Sequence, residues 1–261
     1  MVNMSSIKLG VQLYTLRNFI KTPEDTDKTF AYLKENGVST VQISGIGAFP
    51  QQQVKEIVEK HGMDVVITHI SYDRLKNDTD ALIAEHKMIN CPNIGIGSMP
   101  QEFKGSAEGV KAFIKEIDEI GKKLKAQGMQ FGYHNHAFEF ERYDGRLVMD
   151  MLVEDTNPEI FHFIPDTYWL QVGGVTPAEY LKKLKGRVEV CHFKDMEIFE
   201  NEQRFTEVGS GNIDLHACYN VCKDIGVQAI VVEEDMCYNF EPLEAAVIGY
   251  KGLVRIASEC E

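Results

Sequence analysis

Four segments of this chain begin as short apolar runs and end in side chains that bind metals or move protons. They are FGYHNHAFEFE with His134 and His136, FIPDTYWLQVGG with Asp166, VEVCHFKD with His192 and Lys194, and AIVVEEDM with Glu233 and Asp235. Side chains alternate faces along a strand. His134 and His136 therefore share a face with Gly132, while Tyr133 and Asn135 take the other. His192 and Lys194 share a face opposite Cys191 and Phe193, so Cys191 is expected to face helices as a small buried hydrophobe. Glu233 and Asp235 share a face, and Glu234 points away as a solvated acidic turn. Two imidazoles at a strand end can hold a metal or transfer protons. Carboxylates after an apolar run are costly unless paired or metal-bound. Asp166 can equally cap a helix, Trp169 can stack on a sugar or fill a core, and Lys194 can serve the site or lie on the surface. Jointly, two histidines and two carboxylates from four consecutive strand ends make a mixed nitrogen/oxygen site for one divalent metal.

Such convergence needs a scaffold that brings strand ends together. Apolar runs alternate eight times with amphipathic stretches. The strands are expected at Ile7 to Tyr14, Val38 to Ser44, Asp64 to His69, Asn93 to Gly97, Met129 to His136, Phe161 to Asp166, Val188 to Lys194 and Val227 to Glu233. Between them, Thr22-Pro23 and Thr176-Pro177 open helices, and Gly37, Gly62, Gly128, Gly186 and Gly226 close them. Two further helices are expected after the third and fifth strands, around Asp78 to Ile89 and Val148 to Glu154. The pattern predicts an α/β fold, a (β/α)8 TIM barrel formed as one domain over residues 1–261, whose strand C-termini carry the chemistry. His69 and Gln42 fall at the same end. An open nucleotide-binding sheet is the rival, but no glycine-rich turn follows Tyr14, and Gly95-Ile96-Gly97 does not complete GxGxxG.

The chain has 261 residues, close to the roughly 250 of one barrel. Its net charge is -13, with no run rich in Lys or Arg, which speaks against nucleic acid. No apolar run approaches the roughly 20 residues of a membrane span, and Met1 to Gly10 lacks the pattern of a signal peptide. Six scattered cysteines without CxxC read as reduced thiols, and the expectation is a cytoplasmic protein, free to form a homo-oligomer. GSGN at 209–212, before a helix, is a weak candidate for binding an anion.

The segments VQLYTLR, GYHNHAFEF, DTYWLQVGG with TPAEYLKKLKGRV, HFKDM, FTEVGSGNID and VVEEDM resemble the xylose-isomerase-like sugar phosphate isomerase/epimerase superfamily over nearly the whole chain. The resemblance implies a barrel with one divalent metal at its mouth, Mn2+ first, with Co2+, Mg2+ or Zn2+ as alternatives. Matched motif to motif, it implies His134, Asp166, His192 and Glu233 as ligands. It also implies a small-molecule sugar or polyol as the partner. One departure matters: many epimerases of the family have a glutamate where His134 stands, and relatives often end the second strand in glutamate where this chain has Gln42. Only Glu233 remains as a metal-bound carboxylate base.

The implied activity is an isomerase or epimerase working by proton abstraction beside a carbonyl, through an enediolate. Glu233 takes the proton and His136 returns it, with Lys194, His134 and Glu139 as other candidates for the second transfer. Tyr14, Phe138 and Trp169 bury the carbon face of the sugar, and His69 and Asp235 contact it. A lyase on the same scaffold, an inosose-type dehydratase or keto-glycoside eliminase, needs one base and one acid, and so fits the missing glutamate. A non-catalytic sugar-binding barrel is the alternative from another class.

Overall fold

The computed structural model describes residues 7–261, so the first six residues, which carry part of the N-terminal reading above, lie outside the described residues. Among the described residues, eight parallel strands form one sheet: β1 (Lys8–Gln12), β2 (Thr40–Ile43), β3 (Asp64–His69), β4 (Asn93–Ile96), β5 (Gln130–His134), β6 (Phe161–Ile164), β7 (Val190–Phe193) and β8 (Ala229–Val232). Neighbours in sequence pair in space from β1 through β6, and β8 joins β1 to β7. Between β6 and β7 the backbone ladder is reduced to bridges at Phe163–Val188 and Asp166–His192. Pro165 has no N–H to give its neighbour, so a regular ladder cannot run there. Its carbonyl instead accepts from the His192 N–H at 2.8 Å. That bond ties the ends of β6 and β7 together where Asp166 and His192 emerge.

Eight helices follow the strands in turn: α1 (Pro23–Glu35), α2 (Gln51–His61), α3 (Thr79–Met88), α4 (Ala107–Ala126), α5 (Val148–Asp155), α6 (Pro177–Lys183), α7 (Leu215–Ile225) and α8 (Pro242–Glu259). The outward faces of the strands, with Phe131, Tyr133, Phe161, Phe163, Cys191, Phe193, Ile230 and Val232, pack with these helices in the main core. Inward faces meet in a second apolar cluster of Val66, Ile67, Ile164, Val190, Ala229 and Val231. Gly132 takes the inward place on β5. A Cβ there would lie 2.9 Å from Ile67 and 3.0 Å from Ile164, so a larger residue would have to displace that plug.

The alternation and the eight strands agree with the sequence pattern. The two antiparallel hairpins, Arg142–Tyr143 with Arg146–Leu147 and Asp195–Phe199 with Glu202–Thr206, were not expected, nor were the short helices Tyr72–Asn77 and Thr167–Val172. No helix among the described residues is long and apolar enough to cross a membrane.

Candidate metal centre at the barrel mouth

Each strand of the seam half presents one polar side chain inward at or just past its C-terminal end. His134, Asp166, His192 and Glu233 thereby converge, each fully or nearly buried, with one donor atom apiece inside 4.8 Å of all the others. His134 Nε2 stands 3.2 Å from Asp166 Oδ2, and His192 Nδ1 stands 3.0 Å from Glu233 Oε2.

The remaining ring nitrogens are fixed from behind. His134 Nδ1–H donates to the Gly97 carbonyl (3.1 Å), and His192 Nε2–H donates to Gln42 Oε1 (2.7 Å). Each imidazole therefore presents a lone pair to the centre, as ligating histidines do. Asp166 serves twice: Oδ1 caps the helix Thr167–Val172 by accepting from the Trp169 N–H (3.1 Å), while Oδ2 faces the centre. Cap and site residue, alternatives in sequence, coexist because a carboxylate has two oxygens.

Lys194, a candidate site residue in the sequence, lies beside Asp166 and Glu233. It is 1% exposed, not a surface residue, and its Nζ lies 2.9 Å from Glu233, 3.2 Å from Asp166 and 2.9 Å from Asp235. Burial alone would discharge it, but the three carboxylates outweigh that and raise its pKa. Reciprocally, burial disfavours charge on Glu233, yet Lys194 and His192 overcome it and hold the carboxyl well below its usual range. Asp166 is likewise lowered, burial being outweighed by Lys194 and His134. Three carboxylates around one ammonium leave negative charge that a divalent cation answers. Two imidazole nitrogens and two carboxylate oxygens are a donor set that suits such an ion. On both counts the residues fit a metal.

His134 and Glu233 of the centre line a cavity of ≈ 470 Å³ whose walls include Tyr14, Arg17, His69, Ser98, His136 and Met236, while Asp166 and His192 lie fully buried beside them. His136 projects from the end of β5 with Nδ1 unpartnered. Burial, then the nearby His134 and Lys194, push its pKa down to about 3, so the ring is neutral. His69 also faces the centre, its Nε2 unpartnered, and burial with the neighbouring histidines holds it well below the usual value. Trp169 packs 5.1 Å from His136, ring to ring, and Phe138 lies 6.2 Å from His136 under the Lys104 ammonium. These two aromatics stand behind His136 and do not line the cavity, whereas Tyr14 does.

Three expectations are corrected. Glu234 is buried, not a solvated turn: its N–H donates to Thr15 Oγ1 at 2.9 Å, and burial with Glu207 nearby raises its carboxyl to about 8. The GSGN loop holds an internal anion, since the Gly209, Gly211 and Ile213 N–H groups all donate to the Asp195 carboxylate at 3.0–3.2 Å. Glu139 does not reach the centre. Fully buried, it accepts from the Tyr133 hydroxyl (2.6 Å) and the His136 N–H (2.8 Å) and so fixes the loop carrying His136. Among residues that sequence reasoning passed over, Asn135 accepts from the Asp166 N–H at 3.1 Å, and Arg17 donates to the Asp235 carbonyl at 2.8 Å. The position of Asn135 just past β5 gave no sign of this, because the bond depends on where the end of β6 lies.

A parallel barrel with a mixed-donor cluster at the C-terminal ends of its strands defines a recognisable class of protein. The family model described as xylose isomerase-like TIM barrel matches residues 30–253, and the chain belongs to that family. Inosose dehydratase from Clostridium tetani is 25% identical over 154 residues, covering 52% of this chain and 51% of that protein. The chain thus spans about half the length of the curated relatives it matches. A sugar phosphate isomerase/epimerase from Parabacteroides distasonis superposes with a TM-score of 0.78 at 19% identity, covering 97% of this chain and 95% of that one. The IOLI protein, whose structure has a bound zinc atom, superposes with a TM-score of 0.75 at 16% identity, covering 98% and 99%. At these identities the structural likeness is one of fold.

Proposed function

We propose that the protein is a divalent-metal-dependent isomerase or epimerase of a keto-sugar or related polyol, acting by proton abstraction beside the carbonyl. The observation that carries the reading is the buried quartet His134, Asp166, His192 and Glu233, of which His134 and Glu233 line an open cavity. These four residues would hold the ion, Mn2+ by preference, which when bound supplies Lewis acidity toward carbonyl and hydroxyl oxygens.

The chain's own groups do the rest. Glu233 is ionised, faces the cavity and takes the proton. Lys194 stays charged beside it and stabilises negative charge as it develops. His136, kept neutral, offers an N–H on one side and a lone pair on the other, and so hands on a proton without storing a charge. Asp235 fixes Lys194, and Tyr14 and His69 bound the place where the sugar sits.

A lyase reading has its own support. The matched curated relatives are inosose dehydratases, and elimination needs one base, which a single cavity-facing glutamate supplies. One experiment separates the two: keto-sugars and inososes are incubated with the manganese-loaded protein in deuterated water. Solvent deuterium in recovered sugar identifies isomerisation or epimerisation, and an unsaturated product identifies elimination. With neither outcome across the panel, a catalytic role would be abandoned for a sugar-binding one.

A further inference from the structure

We propose that Gln42 is a positioning residue that serves two states of the centre by turning its amide over. With a cation on His192 Nδ1, the Gln42 oxygen accepts from Nε2–H. When the cation leaves, Nδ1–H pairs with Glu233, and the Gln42 nitrogen, turned into the same place, donates to Nε2. The inference rests on reading the quartet as a metal site. It starts from a contrast between the two histidines. His134 is backed by the Gly97 carbonyl at 3.1 Å. A carbonyl only accepts, so that ring keeps its proton on Nδ1 and always turns Nε2 to the centre. His192 is backed by the Gln42 amide at 2.7 Å. An amide ends in one acceptor and one donor, so it suits either tautomer.

Gln42 is fully buried, and its Nε2 has no partner. A buried donor left unpaired calls for a reason. Turning the amide over exchanges it for an unpaired carbonyl oxygen, which folded proteins tolerate better. The other face of the ring points the same way. With its proton on Nε2, His192 aims the Nδ1 lone pair at Glu233 Oε2, 3.0 Å away. Two lone pairs at that distance repel unless a cation lies between them. A proton on Nδ1 makes the same contact a hydrogen bond, and the carboxylate oxygen keeps a second lone pair for Lys194 at 2.9 Å. Local backbone geometry puts Gln42 in reach: Val41 pairs with Val65 but Gln42 with Ile67, a register slip of the kind that re-aims a side chain beside a site. A glutamate at 42 would only accept, and would hold His192 in the metal-ready tautomer. The amide gives up that affinity and leaves the ligands paired with one another when no ion is bound.

The test follows tautomers, which a purely structural role would leave unmoved. Protein labelled with nitrogen-15 histidine is compared by NMR without metal and after loading with zinc, a diamagnetic probe. The His192 signals are assigned by their loss in His192→Asn. In the parent, the His192 proton should sit on Nδ1 without metal and on Nε2 with zinc, while His134 keeps a proton on Nδ1 throughout. In Gln42→Glu the His192 proton should sit on Nε2 in both states, and chelator competition should show zinc bound about tenfold tighter than by the parent. Gln42→Leu offers neither donor nor acceptor and should bind zinc about 10–100-fold more weakly, the usual cost of losing the partner behind a ligating imidazole. A proton on Nε2 in the metal-free parent overturns the proposal, as does a tautomer change in Gln42→Glu that matches the parent's; neither outcome needs the leucine variant to fold. Unchanged zinc affinity in a folded Gln42→Leu also overturns it. A parent that binds no zinc removes the metal reading and this one together. A parent that binds zinc without moving the His192 proton removes this one alone.

Discussion

The inward faces of β6, β7 and β8 carry two opposite kinds of side chain within one strand's length. Ile164 precedes Asp166, Val190 precedes His192, and Val231 precedes Glu233, each two residues and roughly 7 Å apart along the strand. All six are nearly inaccessible to solvent. Burial therefore does not distinguish the barrel's plug from its mouth; the partners do. The apolar layer gains about 25 cal/mol for each Å² removed from water. The polar layer loses hydration and recovers it only through mutual contacts such as Lys194 with Glu233 at 2.9 Å, a trade that is often neutral or unfavourable for stability. A layer that adds little to stability, yet holds each of these three groups by specific polar partners, is the one to which the proposed chemistry is assigned.

Substitutions at the mouth and in the plug should accordingly separate function from stability. The largest effect is expected from Asp166→Ala, which removes a donor, the helix cap and a counter-charge of Lys194 together. Bound metal should fall to near zero and turnover by at least about 10³-fold, as several kcal/mol of charge stabilisation disappear at about 1.4 kcal/mol per tenfold. Metal analysis and circular dichroism on the same sample check this, and full metal occupancy in the variant would refute the ligand assignment. Next comes Glu233→Gln, which keeps an oxygen donor but removes the base. It should bind metal more weakly and slow exchange of the substrate's acidic hydrogen by about 10²–10⁴-fold. Exchange at the parent rate in this variant, with loss in a His136 variant, would move the base to histidine. In the plug, Ile164→Ala should cost about 2–5 kcal/mol of stability while the folded fraction keeps its metal and its rate. An equal loss of both would mean that the two layers are not separable.

Period-two alternation made the inward positions of His134, His192, Lys194 and Glu233 readable before any coordinates, since a strand has only two faces. The seam was not readable in the same way. Pro165 signals an interrupted ladder, but the resulting Asp166–His192 bridge depends on where β7 lies. Nor could burial of Lys194 and Glu234 be seen, because isolated charges in a sequence read as solvated until their partners are placed. The hairpin Asp195–Phe199 with Glu202–Thr206 follows β7 almost without a break. Its polar alternation fits a loop as well as a strand pair that packs beside the mouth.

Two buried glutamates differ in the partners that burial leaves them. Glu233 has the Lys194 ammonium at 2.9 Å and stays ionised. Glu139 has only the neutral Tyr133 hydroxyl and the His136 N–H as donors, and burial pushes its carboxyl up from 4.5 to about 7. Between those two values the native protein holds a proton that the unfolded chain has released. Stability from this group is therefore fully present below about pH 4.5 and is lost as the pH rises to about 7, by on the order of 1–3 kcal/mol. Glu139→Gln cannot titrate, so it should lack this slope while losing some stability at every pH, because one of the two donors, the Tyr133 hydroxyl or the His136 N–H, then faces its amide nitrogen. The melting temperatures of parent and variant, followed across that window, should draw together as the pH rises. A gap that stays constant would show that Glu139 is ionised throughout, and that burial without a directly paired cation does not suffice to neutralise a carboxylate at this mouth.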